Sequence, residues 1–417
     1  MRSKLLSILF WSVISAAFIG PGTVTTAAAA GAGFQLQLLW ALIFSTIACI
    51  ILQEASARVS ISTGSSFGEA LSKAFPNQKF IQWLLFIAIL TGGAAYQAGN
   101  ILGAIAGLKL EWSISPVLGT ILLTLIASTL LWFGKIRLVA NTLGLVVAVM
   151  GLAFLLMASA VPFTLREFMD GMAFSIPSNS ELLIVGLIGT TIVPYNLFLA
   201  SGLSSNQSIS QMRWGLIPAI AIGGIISIAI MIVGSSIIGE FSFEALSKTL
   251  QNTSGYRAGP LLGIGLFAAG FTSSITAPLA TAITAKTLFG KSWNENSIPY
   301  RLSWGIVMCS GLIFGISGIK PIPVIILAQA FNGLLLPGIT LFLILVLNHP
   351  RIVRVQNTAI NNFLLLIILA VTLFLGLNNL IKLFVINPGA NYFISLGIIS
   401  LLLTLLVLLG IRRFQNV

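Results

Sequence analysis

An all-α integral membrane protein with about twelve transmembrane helices is the fold class predicted by this 417-residue sequence. Three observations carry it. The chain is 57% hydrophobic and 7% charged, with a mean hydropathy of +1.05, far from the composition of a soluble domain. Apolar runs near the ~20 residues needed to cross a bilayer recur through the whole length. Alternate loops also sort the basic residues, fifteen of the 21 falling on one side, among them Arg58, Lys73, Lys79, Arg213, Lys286, Lys291 and Arg301. Lys and Arg accumulate on the cytoplasmic side, so the sorting predicts a cell (inner) membrane protein with both termini in the cytoplasm. An odd number of spans would put the two halves out of phase and destroy that pattern.

The runs centre near Gly20, Ala48, Gly93, Leu123, Met150, Gly189, Ile226, Thr272, Val307, Gln329, Ile368 and Leu402. The first is too long, and too closely followed by the second, for a cleaved signal peptide. The net charge of +12 is explained as a cytoplasmic collar facing anionic lipid, with no nucleic-acid partner required. Cys49 and Cys309 fall inside spans, where a free cysteine behaves as a small hydrophobe, and neither a disulfide nor a metal is assigned to them. His349, the one histidine, sits in LNHPR at a cytoplasmic helix end and reads as an interfacial residue.

Two runs are interrupted in matching places. FIGPGTVTTAAAA (residues 18–30) breaks the first with Gly20, Pro21 and Gly22; IGTTIVPYN (residues 188–196) breaks the sixth with Gly189 and Pro194. Unsatisfied backbone groups in hydrocarbon cost several kcal/mol, so a helix unwinds at that depth where its freed groups line a cavity or hold a substrate. A paired interruption therefore points to a carrier site. A channel would need a continuous pore, and an enzyme a nucleophile with its base or a metal cluster; neither constellation is present, and no enzymatic activity or cofactor is expected.

All nine acidic residues lie in loops or near helix ends. Buried divalent cations normally take hard, charged oxygen ligands and intramembrane proton relays normally use Asp, Glu or His, so both are disfavoured here. The spans offer neutral groups instead: Thr23, Thr25 and Thr26 in the first; Tyr96, Gln97 and Asn100 in the third; Thr190, Thr191, Tyr195 and Asn196 in the sixth; Thr272, Ser273, Ser274 and Thr276 in the eighth; Gln329 and Asn332 in the tenth. Any one hydroxyl in a membrane helix commonly back-bonds to its own helix. Their concentration at the breaks, where half-helix N-termini favour an anionic group, is the functional signal.

At these residues the chain resembles the Nramp family of transition-metal transporters, which have the leucine-transporter (LeuT) fold. GPGT (residues 20–23) stands where that family has DPGN. It is fixed by LLW at residues 38–40 and by the LQ-x3-AR-x4-TG pattern at residues 52–64. TTIVPYN (residues 190–196) replaces ATVMPHN, FTSSITAPLA (residues 271–280) resembles QNSTITGTLA, and Gln329 with Pro337 matches the tenth span. The resemblance implies a single transmembrane domain over 1–417. It would comprise two inverted five-helix repeats (about 8–161 and 180–347) and peripheral helices (about 359–411), working by alternating access.

The departures fall on functional positions. Gly20 takes the place of the metal-binding Asp, Thr23 of the Asn, Val193 of the Met and Tyr195 of the His; Tyr96 and Gly99 stand where the third-span acids of the proton path would be. Nramp-related magnesium transporters, which also lose some ligands, keep the first-span acid. The substrate-site expectation comprises Gly20, Gly22, Thr23, Thr190, Thr191, Val193, Tyr195, Asn196 and Gln329. A Na⁺ coupling site is expected from Gly20, Thr23, Ala269, Thr272 and Ser273, since Ala269, Thr272 and Ser273 share one helix face at i, i+3 and i+4 and resemble the Ala-x-x-Thr-Ser of sodium-coupled LeuT-fold carriers. The favoured substrate is a small oxyanion such as bicarbonate; a divalent metal and a neutral small solute are the alternatives.

Overall fold

The computed structural model describes residues 19–415, apart from 134–135, 205–206, 255–257, 351, 353–356 and 385–391. The half of the first span that precedes residue 19, with Arg2 and Lys4, lies outside the described residues. Among those described, every regular element is a helix. In chain order they are α1 (Pro21–Phe34), α2 (Leu39–Thr63), α3 (Phe67–Ala74), α4 (Lys79–Glu111), α5 (Pro116–Phe133), α6 (Ile136–Ala158), α7 (Leu165–Met172) and α8 (Glu181–Thr191). There follow α9 (Pro194–Ser204), α10 (Ile209–Ser235), α11 (Phe243–Ser254), α12 (Ala258–Phe289), α13 (Ile298–Ile316), α14 (Pro321–Leu347), α15 (Ala359–Phe384) and α16 (Tyr392–Gln415).

Nine helices among the described residues are long and apolar enough to cross a membrane, α8 and α9 together making one of them. The other three expected spans are occupied by α1, α6 and α13. The short amphipathic α3 and α7 each open with a capping box, Ser66 with Glu69 and Thr164 with Glu167, which satisfies backbone donors that a short helix cannot pair internally.

With no hydrophobic force to separate helix from lipid, packing in such a protein depends on small residues that let backbones approach. A Cβ at Gly31 would overlap the Met231 carbonyl, and one at Gly234 the backbone of Ala28, so α1 lies directly against α10. The same holds for α8 and α14. Here one sequence expectation is corrected: Gly189 does not unwind the sixth span. It lies inside α8, and a Cβ on it would overlap the Gln329 carbonyl and the backbone of Gly333, so it is small because two helices touch there. α4, 33 residues long, runs through the centre and packs on α12, α13 and α14. It thereby carries Tyr96 to the depth of both breaks.

Candidate functional site

At the first expected break the described residues begin with Ile19 and Gly20, which are not helical and lead directly into α1. Pro21 opens α1 at a position where its missing N–H costs nothing, and Gly20 is the N-cap, with no side-chain cap and no acid in the first turn. The second break is Ile192 and Val193: α8 ends at Thr191, Ile192 leaves helical geometry (φ −103°, ψ 81°), and Pro194 opens α9. The Asn196 N–H donates to the Val193 carbonyl at 3.0 Å, closing the first turn of α9. Each break thus ends in a helix N-terminus.

Side chains join the two breaks. The hydroxyls of Thr23 and Thr190 hydrogen-bond at 2.9 Å, and the edge of one ring meets the face of the other where Tyr96 approaches Tyr195, centroids 5.6 Å apart. A Cβ built on Gly20 would stand 3.3 Å from Ser273 Oγ and 3.5 Å from Tyr96 Oη, so α1, α4 and α12 converge where an acid side chain would begin. Gly22 has the Gln329 amide against it, close enough that an alanine would displace that side chain.

Tyr96, Tyr195, Asn196 and Gln329 are all buried to within 1%. Yet among the described residues neither amide atom of Asn196 or Gln329 has a hydrogen-bond partner, the same is true of the amides of Asn100 and Asn332, and the hydroxyls of Tyr96 and Tyr195 have no partner other than each other. Leaving such a group unpaired costs about 1–3 kcal/mol, so a cluster of them marks a place built for a polar guest rather than for packing. These groups both donate and accept, and they carry no formal charge. Among the described residues, no three His, Cys, Asp or Glu side chains gather as a metal-binding group.

The remaining expected residues separate. Val193 is buried in the second break itself. Thr191 turns toward α2: its hydroxyl donates to the Leu187 carbonyl at 2.9 Å and accepts from Ser45 Oγ at 3.2 Å. Thr26 back-bonds to the Gly22 carbonyl at 2.8 Å. On α12, Ala269 and Ser273 are buried, while half-buried Thr272 donates to the Ala268 carbonyl at 2.7 Å. Gly99 faces Ile325 and Ala328 of α14 in apolar contact.

Sequence reasoning missed the support given by α2. Cys49 Sγ donates to the Thr191 carbonyl at 3.4 Å, at the very end of α8, and Ser56 Oγ donates to the Leu197 carbonyl at 2.7 Å in α9. Ser45, Cys49, Gln53 and Ser56 fall at spacings of four, four and three, a polar stripe on one helix face, and that periodicity was the available signal.

Comparison with known proteins bears on the family and the fold. The family described as natural resistance-associated macrophage protein-like (Nramp) matches residues 12–382. A divalent metal cation transporter, MntH, of Caldanaerobacter subterraneus subsp. tengcongensis is 25% identical over 362 residues, covering 82% of this chain and 84% of the relative. The Eremococcus coleocola manganese transporter, solved in complex with an aromatic bis-isothiourea substituted compound, superposes with a TM-score of 0.72 at 18% identity, covering 97% of this chain and 94% of that one. MHP1, a nucleobase-cation-symport-1 family transporter in a closed conformation, superposes with a TM-score of 0.56 at 16% identity, covering 97% and 92%.

Proposed function

This chain belongs to the Nramp family of secondary membrane transporters, with a LeuT-like fold, and from that premise we propose that it carries a small oxyanion, with bicarbonate as the working example. The observation that supports this reading is the uncharged site: the unpartnered amides of Asn196 and Gln329 and the hydroxyls of Tyr96 and Tyr195 lie about two helix N-termini, with no carboxylate in contact among the described residues. Helix N-termini and N–H and O–H donors stabilise an anion, whereas a carboxylate at Gly20 would repel it. Alternating access would swing α1, α8 and α9 against α4 and α12, breaking and remaking contacts such as Tyr96 with Tyr195.

A second reading, a divalent cation, is favoured by Gln329, whose side-chain amide lies against Gly22 in the first turn of α1 and includes a neutral oxygen, and by the metal named for the relatives. Neutral oxygens and retained water would then have to hold the ion. Uptake by purified protein in liposomes, with labelled bicarbonate, Mn²⁺ and Mg²⁺ run in parallel under imposed Na⁺ and pH gradients, separates the two. Saturable bicarbonate uptake without Mn²⁺ or Mg²⁺ uptake is expected; saturable Mn²⁺ uptake without bicarbonate uptake would replace the first reading by the second.

A further inference from the structure

A cleft of about 420 Å³ opens at the far end of the molecule from Lys109 and Lys320, between α3, the start of α4 and the end of α12. Lys73 and Lys79 line it, together with Ser72, Gln82 and the rings of Trp83 and Trp293. Its floor is aromatic. Phe289 stacks on Trp293 at 4.5 Å between centroids, and Trp83 lies 4.7 Å from Phe289.

The charges are placed against local preference. Lys79 is the first residue of α4, whose first turn holds no acid and whose N-cap Gln78 makes no side-chain cap. A cation at the positive end of a helix is unfavourable unless an anion offsets both. Lys73 donates to Ser65 Oγ at 2.6 Å and Lys286 pairs with Glu295 at 3.2 Å, but among the described residues neither Lys79 nor Lys291 makes an ion pair. The one acid lining the cleft, Glu69, has an oxygen 3.0 Å from the Ser66 N–H in the α3 capping box.

From the cleft an apolar stripe runs along α4. Phe80, Trp83, Leu84 and Ile87 are 75%, 45%, 47% and 51% exposed, at the i, i+3, i+4 and i+7 positions of one helix face. An occupant that matches both features has an anionic head and an acyl chain. We propose that this cleft is a binding site for an anionic phospholipid, its phosphate between the Lys73 and Lys79 ammonium groups at the N-terminal end of α4, its glycerol region over Trp83 and Trp293, and one chain along the stripe. The site is separate from the transport site and does not depend on which substrate is carried. By occupying the joint of α3, α4 and α12 it would brace α4, which carries Tyr96.

The test compares purified protein in nanodiscs of phosphatidylcholine alone with nanodiscs of an equal mixture with phosphatidylglycerol, using native mass spectrometry for retained lipid and thermal unfolding for stability. Wild type is expected to retain phosphatidylglycerol and to unfold at higher temperature in the mixture. A Lys73→Gln, Lys79→Gln double variant should lose several-fold of that retention and the difference between the two nanodiscs, while Lys320→Gln at the opposite end keeps both. Trp83→Ala, which leaves the charges intact, should weaken retention by itself. Retention equal to wild type in the Lys73→Gln, Lys79→Gln variant overturns the proposal. So does displacement of the retained lipid by millimolar glycerol 3-phosphate, which would mean that the cleft reads a soluble phosphate and not a lipid.

Discussion

Thr23 Oγ1 and Thr190 Oγ1 lie 2.9 Å apart, each beside one of the two helix breaks and 167 residues from the other in sequence. The bond ties the two discontinuous spans at the level where their backbones are free. Each hydroxyl oxygen keeps lone-pair capacity beyond this one bond.

Replacing either threonine by valine keeps the shape and removes a hydrogen bond worth about 0.5–1.5 kcal/mol, so apparent substrate affinity in liposome uptake should fall about two- to twelvefold. Because each residue is the other's partner, the double variant should lose less than the sum of the singles. If both singles lower only the unfolding temperature and leave the apparent affinity unchanged, the pair is a structural tie and not part of the substrate site.

On the oxyanion reading, Gly20 is the position where an added acid would change the charge that the site accepts. With Ser273 Oγ and Tyr96 Oη beside its missing Cβ, an aspartate could be accommodated with hydrogen-bond donors already in place. Gly20→Asp is expected to lower bicarbonate uptake by at least tenfold, since a carboxylate would face the anion at low dielectric. Wild-type protein should bind Mn²⁺ weakly or not at all by calorimetry. Micromolar Mn²⁺ binding to wild type that disappears in Gln329→Ala would restore the divalent-metal reading.

Both breaks were legible because proline and glycine inside apolar runs have few explanations in hydrocarbon. The partners at the site were not. Residues 23 and 190, or 96 and 195, meet only through tertiary packing, and nothing in their local sequence encodes it. Gly189 carried the same signal as Gly20 for a different cause: one caps an unwound segment, the other allows two intact helices to touch. Composition likewise could not tell the committed hydroxyls, Thr26, Thr191 and Thr272, from those at the breaks, because back-bonding depends on rotamer and neighbour.

The α8–α14 contact makes a stability prediction that is independent of substrate. A methyl group at Gly189 would overlap the backbone of Gln329 and Gly333, which cannot yield as a flexible side chain can. Overpacking of this kind costs about 1–3 kcal/mol, so Gly189→Ala should lower the unfolding temperature in detergent and reduce the yield of monodisperse protein. Gly202→Ala, where the added carbon meets nothing, is the control expected to behave as wild type.

Coupling to Na⁺ makes the sharpest claim on α12. Ser273 is buried and its hydroxyl stands 3.3 Å from where a Cβ on Gly20 would be, beside the unwound backbone of the first break; Ala269 lies one turn earlier on the same face. Thr272 has already donated its proton to the Ala268 carbonyl, which leaves its oxygen lone pairs as its means of contacting a cation. The Ile19 carbonyl, with the second lone pair of the Gly20 carbonyl that already accepts from the Val24 N–H at 3.2 Å, would complete an oxygen shell, and the bound charge would offset that of an anion at a depth where a lone charge costs at least ~2.5 kcal/mol. Uptake should therefore require Na⁺ and should not be driven by a pH gradient in its absence, since α4 carries no acid before Glu111 at its far end. Ser273→Ala should raise the Na⁺ concentration needed for half-maximal uptake about tenfold or abolish uptake. Thr272→Ala should act less strongly, because part of its hydrogen bonding is spent on its own helix. Full transport in choline-based, Na⁺-free buffer, or a Ser273→Ala variant with unaltered Na⁺ dependence, eliminates the site.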